Sequence, residues 1–130
     1  MFIDANIFVA YYINKGKDGE RARQFLKKVA DGGQNAATSA LVINEVCHFF
    51  MERAEFSQVE KVHQQLTSIP NLSILAVDDR ITRLSIDFMR NGLGVSDAYH
   101  AATMKINNIS TICSFDTDFD KAKGIKRQEP

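Results

Sequence analysis

Four acidic side chains are the residues of this sequence that could do chemistry together: Asp4 in MFIDANIF, Glu45 in LVINEVCHFF, Asp97 in GVSDAYHAA and Asp116 in ICSFDTDFD. Asp4 stands at the tip of a short apolar run, boxed by Ile3 and Ile7. Glu45 shares a helical face with Leu41, Val42 and Phe49. A carboxylate on a core-facing position needs a partner. Taken singly, Asp97 could simply complement the positive end of a helix dipole, and Asp116 could be a turn residue. Taken together, carboxylates a few ångströms apart repel by kcal/mol unless a cation or protons neutralise them. Oxygen-only donors select Mg²⁺ or Mn²⁺ over zinc, as one or two ions, and such a site activates water and neutralises charge developing on a phosphodiester. Asn6 is placed to orient Asp4 or a water, and Ser114 to hydrogen-bond to a ligand. In the alternation Asp116, Asp118, Asp120, the middle acid is the runner-up to Asp116 or an additional ligand, and the last is expected on the surface.

Something must carry these acids to one place, and the pattern of elements suggests how. Phe2 and Ile3 read as a buried strand ending on Asp4, and Ile7 to Ile13, apolar on every side, as a short buried helix. Asp18 is expected to cap a helix that buries Ala22, Phe25, Leu26 and Val29 and stops at Gly32-Gly33. An extended piece around Ala36 and Ala37 leads to Thr38 or Ser39 as the cap of a helix running to roughly Arg53. Ser57 opens another helix, halted by Pro70, and Leu72 to Val77 alternates as a strand. A helix over Asp79 to Asn91 is followed by one from Gly94 to Ile106, with Ser96 as its expected N-cap and Asp97 in its first turn. Ser110 to Phe115 is a strand ending on Asp116, Asp118 to Lys123 one helical turn, and Ile125 to Arg127 a last edge strand. Strands separated by helices imply right-handed βαβ crossovers and a three-layer α/β/α sandwich with a mainly parallel sheet. Chemistry in such a sheet gathers at the carboxyl ends of the strands.

The bulk composition agrees with one domain over residues 1–130 and one site. With 45% hydrophobic residues there is enough for a single core, and Lys+Arg 16 against Asp+Glu 16 removes the field of a strongly basic nucleic-acid binder. Cys47 and Cys113 lack zinc spacing and are expected in the core as reduced thiols. The longest apolar run is too short to span a bilayer, so a cytoplasmic, membrane-free protein is expected. His48, His63 and His100 form no triad or metal pair by spacing and are expected in structural roles, although His100, three residues after Asp97, could face the cleft mouth. Lys15, Lys17, Arg21, Arg23, Lys27 and Lys28 form a basic surface, either a rim for phosphates or a solvated helix face. Phe49, Phe50 and Met51 cannot all enter one core from one helix.

FIDAN at the start, INE at Ile43 to Glu45, SDAYHAA at Ser96 to Ala102 and SFDTDF at Ser114 to Phe119 resemble the ordered acidic motifs of PIN-domain ribonucleases, in particular the VapC-like toxins of toxin-antitoxin pairs. The resemblance covers essentially the whole chain. It implies a Mg²⁺- or Mn²⁺-dependent endoribonuclease, with Asp4, Glu45, Asp97 and Asp116 at the family's acidic positions and Asn6 at the polar position of the first motif. It further implies a homodimer, a VapB-like antitoxin and a tRNA or ribosomal RNA substrate, for which Lys15, Lys17 and Arg21 are the candidate contacts. Ala5 departs from the hydroxyl residue the family often carries between Asp and Asn. Two alternatives stand beside the toxin: a PIN-type RNA-processing nuclease without an antitoxin, and an aspartate-dependent phosphoryl-transfer or receiver domain, although Asn6 replaces the second Asp expected of such a phosphatase.

Overall fold

The computed structural model describes residues 1–13, 16–53 and 56–130. Its described elements are β1 (Phe2–Ile3), α1 (Ala5–Ile13), α2 (Lys17–Ala30), β2 (Ala36–Ser39), α3 (Ala40–Met51), α4 (Phe56–Thr67), β3 (Leu72–Leu75), α5 (Asp79–Arg90), α6 (Val95–Ile106), β4 (Thr111–Cys113), a 3₁₀ turn (Thr117–Lys121) and β5 (Lys126–Gln128). The five strands form one parallel sheet in the order β3-β2-β1-β4-β5. The expected three-layer α/β/α architecture is therefore present.

The strand order explains where a site must form. From β1 the chain steps outward to β2 and β3, then returns across β1 to β4 and β5. Crossovers that run in opposite directions with the same right hand place α1–α4 and α5–α6 on opposite faces. The packing of α1 on α2 and α3, of α3 on α4, and of α5 on α6 follows that division. The reversal falls between β1 and β4, and the crevice outside their carboxyl ends is where such sheets bind ligands. Asp4 directly follows β1, and Ser114 directly follows β4.

Most local expectations hold, and the exceptions have causes. The buried face of α2 is Ala22, Phe25, Leu26 and Val29, joined by Gly19. Its C-terminus closes through Gly32 at φ +77°, a left-handed conformation that a glycine adopts without strain. Asp18, however, is not the cap: Gly16 holds that position, and Asp18 sits with Glu20 in the first turn, where both complement the dipole. Ser39 caps α3 by accepting from the Val42 N–H at 3.2 Å. Asp78 caps α5 by accepting from Arg80 and Ile81. At α6 the N-cap is Gly94, without a side-chain hydrogen bond, rather than Ser96. The strands are shorter than or offset from the expected runs, ending at Leu75 and Cys113 on one side and spanning Lys126–Gln128 on the other. Phe50 is buried, Phe49 is half-buried and Met51 is 55% exposed, so the aromatic trio does divide between surfaces. Cys113 is in the core, whereas Cys47 is only half-buried.

Candidate metal centre

Asp4 is only 6% exposed, and the backbone break between β1 and α1 surrounds it with donors. Its Oδ1 accepts from the Ala5 N–H at 2.7 Å. Its Oδ2 accepts from the Ser114 hydroxyl at 2.6 Å and from Asn6 Nδ2 at 2.7 Å. Asn6 Nδ2 also donates to Ser114 Oγ, its Oδ1 accepts from the Phe115 N–H, and Ser114 Oγ accepts from the Asp116 N–H at 2.9 Å. Asn6 and Ser114 thus tie the tip of β1 to the tip of β4. Two bonds fill the lone pairs of Oδ2, while Oδ1 keeps one free. Burial raises the Asp4 pKa above the ordinary aspartate value, against the opposing pull of His100, Ser114 and Ala5.

Glu45 and His100 meet beside it, one from α3 and one from α6. His100 Nε2 lies 3.0 Å from Glu45 Oε2 and 3.9 Å from Asp4 Oδ1. Burial alone would push the Glu45 carboxyl up, but the His100 hydrogen bond and charge and the Ser96 hydroxyl bring it below its usual range. Burial likewise opposes charge on His100, yet Glu45, Asp4 and Asp97 raise its pKa. Ser96 is released from capping α6 and serves this carboxylate instead. Asp4, Glu45 and His100 each offer a ligand atom, all within 4.8 Å of one another.

A second trio, Asp97, Asp116 and Asp118, also brings its ligand atoms within 4.8 Å of one another. Asp97 is half-buried in the first turn of α6, and its pKa is pushed up to about 6 by burial, then by Asp116 and Asp4. Asp116 caps the 3₁₀ turn through a 2.9 Å bond from the Asp118 N–H. Asp118 is met by Lys121 at 2.6 Å. The four expected acids are thus divided between two adjoining trios, coupled through the influence of Asp4 on Asp97. Asp118 belongs to the second trio, and exposed Asp120 pairs with Arg127 at 2.9 Å, as expected of a surface residue.

The chemistry of these donors fits a divalent cation. Glu45 Oε1 is buried without a hydrogen-bond partner among the described residues, the condition an ion or water relieves. Among the described residues, Asp97 faces the carboxylates of Asp116, Asp4 and Asp118, against which the ring of His100 is the offsetting group. Oxygen-rich sites of this kind suit hard ions.

His100 is the residue that spacing undervalued. Its three-residue offset from Asp97 put it near the cleft mouth, but nothing in the sequence showed that α3 would bring Glu45 against it. His48 and His63 are exposed. Of the basic residues, Lys15 lies outside the described residues, and Lys17 is exposed at the start of α2. Arg21 is held by Glu129 at 2.9 Å and the Pro130 carbonyl at 3.2 Å, with its guanidinium 5.6 Å from the Phe115 ring. It therefore flanks the Ser114 to Asp116 corner with much of its donor capacity engaged.

Residues 1–125 match the PIN domain, and the chain belongs to that family. Two curated relatives, a VapC ribonuclease of Mycobacterium bovis and ribonuclease VapC13 of Mycobacterium tuberculosis, are each 26% identical over 112 residues, covering 82% of this chain and 82% of the relative. Among solved structures, Mycobacterium tuberculosis VapC20, described as a sarcin-ricin loop cleaving toxin, superposes with a TM-score of 0.79 at 16% identity, over 99% of this chain and 98% of that one. FitAcB from Neisseria gonorrhoeae gives 0.76 at 18% identity, over 99% and 96%. VapBC2 from Rickettsia felis, bound to a promoter DNA fragment, gives 0.73 at 20% identity, over 98% and 96%. At these identities the structural likeness speaks for the fold. Among the described residues, no helix is long and apolar enough to cross a membrane.

Proposed function

We propose that this protein is a divalent-metal-dependent endoribonuclease, the toxin of a VapBC-type pair, and that Asp4, Glu45, Asp97 and Asp116 are its catalytic ligand set. The observation that carries the reading is the meeting of two acid-bearing trios at the strand ends where the sheet reverses. Mg²⁺ or Mn²⁺, as one or two ions, is the cofactor that oxygen donors favour, with Asp118 as an additional ligand. When bound, such an ion lowers the pKa of a water nucleophile and offsets charge at the phosphodiester.

The chain's own residues supply position. Ser114, Asn6 and the Ala5 N–H fix Asp4 so that one Oδ1 lone pair remains for a ligand. His100 fixes one oxygen of Glu45 and leaves the other unpartnered. The raised pKa of Asp97 means that a proton and a cation compete for its carboxylate near pH 6. Lys17 and Arg21 are proposed to meet flanking phosphates, Arg21 beside Phe115. Asp4, buried and crowded by donors, is a poor nucleophile, so the phosphoryl-transfer alternative gains no support. The names of the relatives and of the toxin-antitoxin neighbours, VapBC-1 from Haemophilus influenzae among them, support an RNA substrate and a VapB-like antitoxin; tRNA or ribosomal RNA is the class of substrate we propose. A single domain spanning 1–130, a homodimer and a cytoplasmic location complete the proposal.

The test is RNA cleavage by purified protein with Mn²⁺ or Mg²⁺ and with a chelator, comparing wild type with Asp4→Asn and Asp97→Asn. Metal-dependent cleavage lost in both variants is the expected result. Undiminished cleavage in both would overturn the assignment.

A further inference from the structure

His100 is the most deeply buried histidine among the described residues. It is 1% exposed, and its ring centroid lies 5.7 Å from that of Phe2 and 6.5 Å from that of Phe119, the latter stacked at 29°. Phe2 belongs to the central strand and Phe119 to the 3₁₀ turn, so rotation of the imidazole would disturb two fully buried aromatic side chains. Of its two nitrogens, Nδ1 is buried and finds no hydrogen-bond partner among the described residues, and Nε2 is directed at Glu45 Oε2 at 3.0 Å. An ionised carboxylate only accepts, so Nε2 carries the proton and donates.

That geometry separates two roles. To ligate an ion, His100 would have to give up its bond to Glu45, because its other nitrogen faces the protein interior. The bond leaves Glu45 with one oxygen pinned and Oε1 buried and unpartnered. In many metal sites a carboxylate orients a ligating imidazole. Here the order is reversed, with an imidazole orienting a carboxylate.

We propose that His100 is a positioning residue for the metal centre: by donating to Glu45 Oε2 it presents Oε1 as the ligand atom. The inference rests on the proposed metal-dependent reading and adds to it a residue outside the acidic set. Removing the donor leaves the Ser96 hydroxyl as the remaining described side-chain partner of Glu45, and loss of such a supporting partner weakens metal binding by about 10–100-fold.

The experiment measures Mn²⁺ binding to RNA-free protein, by calorimetry and by the magnetic-resonance signal of unbound Mn²⁺, in wild type, His100→Leu and His100→Gln. Leucine fills the buried space without a donor, whereas glutamine returns an N–H near the position of Nε2. The expected result is a loss of about 10-fold or more for His100→Leu and retention within about threefold for His100→Gln. Binding of Mn²⁺ by His100→Leu as tight as wild type overturns the proposal while leaving the metal reading intact. Equal losses in both variants also overturn it, since the donor would then not be what matters. If wild type itself binds no Mn²⁺, the metal reading fails and the inference falls with it. Should His100→Leu not fold, spin-echo spectroscopy of Mn²⁺ in wild-type protein carrying ¹⁵N-histidine decides: absence of a directly bonded nitrogen is expected, and a bonded one would make His100 a ligand.

Discussion

Asp4 and Glu45 in one trio, and Asp97 and Asp116 in the other, carry the same formal charge but receive opposite treatment from the fold. The first pair is enclosed by donors: Ala5, Asn6, Ser114 and His100 together satisfy three of its four carboxylate oxygens. The second faces another acid, Asp118, and among the described residues the close cation is Lys121, on Asp118 rather than on Asp97 or Asp116. The consequence appears in the titration of Asp97, which moves up to about 6. One side is organised by the fold itself, and the other carries crowded carboxylates whose repulsion a proton or a cation would offset. The difference teaches that preorganisation and charge accumulation, both needed by a metal centre, are provided here by different elements: the β1 and β4 tips with α3 for the first, and the α6 start with the 3₁₀ turn for the second.

Breaking the organised side should have the largest effect. Asp4→Asn is expected to cut metal-dependent RNA cleavage by at least about a hundredfold, with Mn²⁺ no longer raising the melting temperature. Ser114→Ala comes next, because its fully buried hydroxyl serves Asp4, Asn6 and the Asp116 N–H at once. We expect roughly a tenfold loss of cleavage and about 1–3 kcal/mol of stability, read from rate measurements and denaturant melts.

The crowded side should respond in the opposite sense when metal is absent. An acid whose pKa rises from 3.8 unfolded to about 6 folded retains a proton that the unfolded chain has released. Stability of the metal-free protein therefore falls as pH rises through that window and levels off above it. Asp97→Asn should consequently stabilise the chelated protein at pH 7, by about 1 kcal/mol once solvent screening of this half-buried carboxylate is allowed for, and by much less at pH 4. Melts at both pH values with chelator check the sign, and an Asn variant less stable than wild type at pH 7 would contradict it. Asp118→Asn should have the smallest effect, less than about tenfold in cleavage, since Lys121 already occupies one of its oxygens.

The acids and the sheet were legible in the sequence for a common reason. Polar residues at the ends of apolar runs, as in FIDAN and SFDTDF, mark strand tips wherever they occur, and helices between strands force parallel crossovers. What could not be read was contact between elements remote in sequence. Helical spacing placed His100 near Asp97, but Glu45 is 55 residues away, and its approach depends on how α3 and α6 meet at the sheet edge. Ser96 illustrates a related limit. By type and position it reads as an N-cap, yet Gly94 takes that role and the hydroxyl serves Glu45, a tertiary demand outweighing a local preference. At Asp18, likewise, the acid complements the helix dipole from the first turn instead of capping it.

The central claim is that both trios hold divalent cation in one cleft. Diffraction from crystals grown with Mn²⁺, collected at a wavelength where manganese scatters anomalously, tests it directly. An anomalous peak bounded by Asp4, Glu45, Asp97 and Asp116 is expected. A peak elsewhere, or none at saturating Mn²⁺ in protein that still cleaves RNA, would contradict it.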